Sequence, residues 1–374
     1  MIETTTLVDQ NCHGVLRTEL GLGTFEAQLG RTAGPPAAGT TFFDTQTGFA
    51  VRRWCPPLLG LQPHTSPAAY LARRRELGVM EAGRRLLRGT GITTYLVDTG
   101  LPGDLTGPEE IAAAGAAEAR EIVRLDLLAQ QVADTSGTVD SLLANLAHAV
   151  HTAAGSAVAF VSVAALRHGP APASDPPGPA EVRAAAGRWL ARRRVGGRVT
   201  DPVLLRHLLW TAVATGRPLQ LHAGGGGEGC GCRVDCCDGG PARIAGFAAA
   251  TAGLGTDLVL LHGPPYHRHA ARLAGAYPHV YADLGPALAH TGARAADVLA
   301  QVLELAPFGK LLYSSGARGL PELHVVGARV FSQSLARVLG GWVADGSWAL
   351  ADARRVAEMI ASGNARRVYG LDDI

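Results

Sequence analysis

Eight short runs rich in β-branched and apolar residues recur along the chain, each closing on a polar residue and followed by a stretch of Ala, Leu and Arg with helical spacing. They are Leu7 to His13, Thr94 to Asp98, Ile122 to Asp126, Val158 to Val163, Leu219 to His222, Leu258 to His262, Val280 to Asp283 and Leu311 to Ser315. Strands alternating with helices predict a parallel sheet, because each parallel pairing needs a crossover. Parallel strands buried on both faces read as continuous apolar runs, and eight of them close into a barrel whose strand ends meet at one mouth. The α/β class is thus narrowed to a single (β/α)8 TIM barrel over residues 1–374.

The interval after the first strand is too long for an ordinary βα unit. Residues 14–66 carry Pro35-Pro36, Pro56-Pro57 and several glycines, which predicts a covering insertion of loop and short helix over the mouth. Tyr70 to Arg88 then has the pattern of the first barrel helix. Residues 169–179, dominated by Pro and Ala, read as a surface loop because the strand pattern resumes beyond them. Thr200-Asp201-Pro202 has the form of a helix start, with a capping side chain and Pro in the first turn. Helices over Pro321 to Asp345 and Ala349 to Tyr369 complete the pattern.

Composition narrows the function classes. Hydrophobic residues make up 47% of the 374 and charged residues 18%, enough to bury a large core. A net charge of +2, spread thinly, gives no basic face for nucleic acid and no acidic tail. No stretch reaches the roughly 20 uninterrupted apolar residues of a membrane helix, and Met1 to Thr6 lacks the basic and apolar regions of a signal peptide. The expectation is a cytoplasmic protein acting on a small-molecule substrate, with neither nucleic acid nor membrane as partner; a homo-oligomer is compatible with it. Six cysteines in such a chain are expected to be reduced.

The strand ends supply the candidate chemistry. Asn11 and His13, two apart, are expected to point into the barrel together, while Cys12 points toward the helices, where packing is its ordinary role and a reactive or ligating thiol the alternative. His13, His222 and His262 close their strands as imidazoles able to exchange protons near neutral pH. Asp98, Asp126 and Asp283 also close strands; Asp126 shares a face with Arg124 and is expected to pair with it, and Asp283 is the candidate catalytic carboxylate. Arg53, Trp54, Arg167 and Ser315, with Asn11, are candidate substrate contacts, since arginine can hold a carboxylate bidentately. Arg318 follows the last strand. Ser314 and Ser315 have no adjacent base in sequence, which argues against nucleophilic serine. His324 reads as facing a helix groove.

After the fifth strand comes a Gly- and Cys-rich loop over residues 224–240, with Cys230, Cys232, Cys236 and Cys237. A glycine-rich loop buries little, so packing does not account for four thiols there. Soft-metal binding, a redox pair and an ordinary exposed loop stay open. The spacing lacks the paired C-x2-C of zinc ribbons.

With the strands placed, the chain resembles the amidohydrolase-related family, in particular a branch similar to the hydrolase-like domain preceding glutamine synthetase in some fungal fusion proteins. The resemblance is carried in order by Val8 to Val15, Arg52-Arg53-Trp54-Cys55, Val97 to Gly100, Val123-Arg124-Leu125, Leu204 to Trp210, Pro218 to His222, Leu260-Leu261-His262 and Asn364 to Leu371. It implies a divalent ion held by two first-strand histidines, a later histidine and a last-strand aspartate, making hydroxide for hydrolysis or supporting decarboxylation. His13, His222 and His262 match that set. Asn11 stands where the resemblance implies the first histidine, and Gly316 where it implies the aspartate. Val161 and Gly227 replace a lysine and an aspartate implied by the same alignment.

A neutral amide is a poor zinc ligand, and glycine neither offsets the ion's charge nor accepts a proton from its water. Three functions follow. The first is an enzyme of a specialised pathway turned to acid-base lyase, cyclase or decarboxylase chemistry by the three histidines. The second is a hydrolase of a C–N bond with a rebuilt metal site drawing on His13, His222, His262 and a thiolate or Asp283. The third is a pseudoenzyme that binds a ligand without catalysis. One divalent metal such as zinc, or no cofactor at all, is compatible with the residues.

Overall fold

The structure is a computed structural model that describes residues 2, 6–30, 36–163, 174–222, 244–261 and 266–372. Eight parallel strands follow one another around it in sequence order: β1 (Leu7–Cys12), β2 (Ile92–Asp98), β3 (Glu118–Arg124), β4 (Ala159–Ser162), β5 (Leu219–His222), β6 (Leu258–Leu261), β7 (Val280–Asp283) and β8 (Leu311–Leu312). Backbone bonds from Gln10 N to Tyr313 O, Gly316 N to Asn11 O and His13 N to Ala317 O join the ends of the series. These contacts close the sheet into the expected (β/α)8 barrel.

Two apolar layers follow from the strand alternation. Val8, Leu96, Ile122, Val161, Val259, Leu261, Tyr281 and Leu312 fill the interior, with Tyr369 from the last helix. Their neighbours, such as Leu7, Tyr95, Val97, Leu219, Leu221, Leu258 and Leu260, face the helices in a larger shell. Burial on both faces is why β4, β6 and β8 are almost wholly apolar, while β1 and β3 carry several polar residues.

One register irregularity matters for the site. Asp9 pairs with Tyr95 and Cys12 with Val97, so β1 spends three steps where β2 spends two. The extra residue is a β-bulge, and both Gln10 and Asn11 turn into the barrel there. Asp9 and Cys12, which strict alternation would put on opposite faces, therefore share the outer one.

Several boundaries differ from the sequence reading. β3 begins at Glu118 and ends at Arg124, and Asp126 lies in the first turn of the helix Leu125–Asp134, its carboxylate accepting from Val163 N at 3.0 Å. The helix expected over Tyr70 to Arg88 is two, Pro67–Leu77 and Val79–Arg88, divided at Gly78. Asp201 caps the helix Pro202–Val213 by accepting from Val203 N, with Pro202 at its first position. The described part of the insertion holds the helices Leu22–Leu29 and Gln46–Leu58, whose Phe25, Leu29, Val51 and Cys55 belong to the outer shell. The second of these packs on the long helix Pro321–Ala344. Arg74 and Glu322, buried at 2.9 Å from one another, tie the insertion side to that helix, with Tyr70 donating to the same carboxylate oxygen. No helix among the described residues is long and apolar enough to cross a membrane.

Candidate active site

A layer of amides forms the floor beneath the mouth. Gln220, inward on β5, accepts from Asn11 Nδ2 at 2.8 Å, which spans the interior from β1 to β5. Its own amide nitrogen reaches Gln10 O, Gln10 Oε1 and the Tyr369 hydroxyl at 2.8, 3.0 and 2.8 Å, and that hydroxyl donates to Gln10 Oε1 at 2.6 Å. Burial raises the Tyr369 pKa far beyond the usual phenol range, so it stays a neutral donor. Asn11 Oδ1 is buried without a hydrogen-bond partner among the described residues. Gln10, Gln220 and Tyr369 were not anticipated; the signal was a polar residue two before His222 in an otherwise apolar strand, hence on its face.

His13 and His222 stand one step above this floor, on strands that lie opposite one another in the barrel order. His13 is buried, and its Nδ1 lies 2.9 Å from the carbonyl oxygen of Asp98. A carbonyl only accepts, so Nδ1 carries the proton and Nε2 is left as the basic nitrogen. Burial lowers the His13 pKa below its ordinary 6.5, with Asp98 opposing and the cations Arg124 and Arg318 assisting. The imidazole is thus neutral at pH 7. His222, half-buried, closes β5 in register with Leu261.

Asp98 is the hub of this side. Its Oδ2 accepts from Arg124 Nη2 at 2.5 Å and Nε at 3.2 Å, and its Oδ1 accepts from Gly100 N at 2.8 Å. Arg124 therefore pairs with Asp98, not with Asp126 as the shared strand face suggested. The cross-strand partner wins because Asp126 has left the strand for the helix.

On the other side, Asp283 closes β7 facing inward and accepts from Gly285 N at 3.1 Å. Ser314, inward beyond β8, has a buried hydroxyl without a hydrogen-bond partner among the described residues. Gly285 lies so close that a Cβ there would be 2.2 Å from Ser314 Oγ and 2.6 Å from Asp283 Oδ2. Gly316 adopts φ +56, the left-handed region that favours glycine.

Ser315, read as a substrate contact, turns outward instead. Its amide and hydroxyl both donate to Asp9, at 2.7 and 2.5 Å, and its Cβ abuts Gly327 of the long helix. Strand alternation explains the correction, since Leu312 and Ser314 take the inner face. Arg53 is exposed with its guanidinium 4.2 Å over the half-buried Trp54 ring, on the helix that packs against Pro321–Ala344. Arg167, Gly227, His262 and the cysteines Cys230, Cys232, Cys236 and Cys237 lie outside the described residues.

These side chains do not fit the four-ligand cage that the resemblance implies. Asn11 offers only a neutral amide oxygen where the resemblance implies an imidazole, and Gly316 offers no side-chain donor. Zinc sites draw on imidazole, thiolate or carboxylate, and the carboxylate at the implied position is gone.

The comparisons with known proteins agree with the barrel and its ancestry. The chain belongs to the amidohydrolase family, matching it over residues 94–371, a span that runs from within β2 through β8. It is 30% identical over 191 residues to Protein fluG of Emericella nidulans, an alignment covering 50% of this chain and 20% of that protein. The chain thus spans only about a fifth of the curated relative it matches. Among solved structures it is similar to a Lactobacillus casei protein provisionally designated a metal-dependent hydrolase, with TM-score 0.85 and 23% identity over 100% of this chain and 97% of that one. It also superposes on uronate isomerase from Thermotoga maritima, with TM-score 0.63 and 13% identity over 97% and 94% of the two chains. At these identities the structures report a shared fold.

Proposed function

We propose that this chain is an enzyme acting on a small molecule by acid-base chemistry of the lyase, cyclase or decarboxylase kind. His13 and His222 would carry the protons, with His262 as a third candidate. The observation that carries the reading is the pairing of a neutral His13, its Nε2 left basic by the Asp98 carbonyl, with a floor where Asn11 is tied to Gln220. A buried base with fixed tautomer can remove a proton beside a substrate carbonyl or return one to a departing group. Excluding water strengthens each polar contact at such a centre. A role in a specialised biosynthetic pathway would suit a family barrel with altered strand ends.

The test is turnover of a panel of carboxylic and hydroxy acids followed by NMR in D2O, with and without a chelator. Turnover that withstands chelation and falls by about 10²- to 10⁴-fold in His13→Ala and His222→Ala is expected. Unaltered turnover in both variants would sink the reading, and binding without turnover would favour a ligand-binding role. The second reading, a C–N hydrolase with a rebuilt metal site, is favoured by one feature: Asp283 puts an inward carboxylate beside the strand that lost its aspartate. Activity lost on chelation and restored by zinc would select it.

A further inference from the structure

Behind β1, on the side away from the mouth, lies a polar cluster that the acid-base reading does not use. Asp9, Cys12 and His324 are all fully buried there, between the barrel wall and the helix Pro321–Ala344. Their donor atoms lie within 4.8 Å of one another, and Asp9 Oδ2 is 3.7 Å from His324 Nδ1. The bulge in β1 makes this possible, since residues three apart on a regular strand face opposite sides.

His324 is the anomaly. Neither ring nitrogen has a hydrogen-bond partner among the described residues, although the side chain has no exposure. Burying unsatisfied polar atoms is costly, so an imidazole is not kept in such a place by packing alone. The Tyr95 ring, edge-on at 5.7 Å between centroids, fixes its plane. The Tyr313 hydroxyl, also buried without a partner among the described residues, borders the same cluster.

We propose that Asp9, Cys12 and His324 form a structural site for one zinc ion that fastens β1 to the long helix. The set is one carboxylate, one thiol and one imidazole, the donor classes zinc prefers. On binding, the Cys12 thiol gives its proton to solvent, and thiolate, carboxylate and neutral imidazole together cancel the charge of the ion. Neutrality matters in a sealed interior, where a net charge is costly. Tetrahedral zinc places such ligand atoms roughly 3.3–3.6 Å apart, so the cluster needs to contract by about 1 Å. Ser315 already holds the carboxylate in place through its amide and hydroxyl, the kind of outer support that ligating carboxylates receive. The competing arrangement is a metal-free pair of ionised Asp9 and protonated His324.

The experiment uses the full chain with Cys230, Cys232, Cys236 and Cys237 replaced by serine, so that their thiols do not contribute. Because the site is sealed, the protein is expressed in minimal medium supplied with either zinc or cobalt. We expect stoichiometric metal and, in the cobalt protein, a thiolate-to-cobalt charge-transfer band with intense tetrahedral visible bands. C12S should abolish the charge-transfer band, and C12S and H324Q should each lower the metal content by about tenfold or more. X-ray absorption should find a single sulfur neighbour. A cobalt protein without a thiolate band overturns the proposal whether or not the variants fold, and so does metal content unchanged in C12S and H324Q. An ion at the mouth would give the second pattern, which separates this site from the choice between the two functional readings.

Discussion

On the β1–β3 side of the mouth His13 and Asp98 are held in place: His13 Nδ1 sits on the Asp98 carbonyl, and both carboxylate oxygens of Asp98 are taken by Arg124 and Gly100. The β7–β8 side is built the other way, with a glycine at 316, a Ser314 hydroxyl lacking a partner among the described residues, and Asp283 pressed against Gly285. The first side is rigid and fixes a tautomer. The second carries a glycine at the position where the resemblance implies a carboxylate. One side of the mouth is therefore held by charged hydrogen bonds and the other by close packing of small residues.

The largest effect should come from breaking the rigid side. Asp98→Ala leaves Arg124 buried without its counter-charge, which should cost about 3–5 kcal/mol in urea unfolding. A loss under about 1 kcal/mol would mean that the two sides do not differ in the way described. On the β7–β8 side, Gly285→Ala pushes a methyl into Ser314 and Asp283 and should cost about 1–3 kcal/mol. An unchanged midpoint would show that this wall yields freely.

A smaller effect concerns pH. Burial holds the folded His13 pKa below the unfolded 6.5, so the unfolded chain takes up this proton first as pH falls. The stability linked to this residue is complete above pH 6.5 and lost progressively below it, down to the folded pKa. A side-chain NMR titration should place the His13 midpoint below 6.5 and move it lower in Asp98→Ala, because Asp98 is the influence that raises it. A midpoint above 6.5 would contradict the neutral-base assignment. Smallest of all, Ser314→Ala removes a hydroxyl without a visible partner and should change stability by less than about 1 kcal/mol, in either direction. A larger loss would reveal a partner for that hydroxyl.

How much of this was legible in the sequence depended on range. The eight strands stood out because both faces of a parallel barrel are apolar, and all eight lie where the runs predict, with ends displaced by a few residues. The start of β3 was missed because Glu118 and Arg120 carry polar side chains in a strand whose first residues are partly exposed. His13, Asn11, Cys12 and Asp283 took the faces that alternation assigns, yet Asp126 did not, since a strand end and a helix start look alike when one follows directly on the other. The Asp98–Arg124 pair joins neighbouring strands 26 positions apart, and no local period reports such a contact. Gln10, Gln220 and Tyr369 meet across as many as 359 positions. Asp9 and Cys12 were hidden for another reason: the period of two separates them, and only the bulge reunites them.

That surplus amino acid in the first strand also decides what lies beneath the imidazole. Removing Asn11 would leave an ordinary ribbon with Cys12 still outside and His13 still inside, whereas removing Cys12 would keep His13 inside but turn Asn11 toward the helical shell and take its amide off Gln220. Either shortening thus keeps the ring's orientation, and either one removes the Asn11 amide that ties the first strand to the fifth.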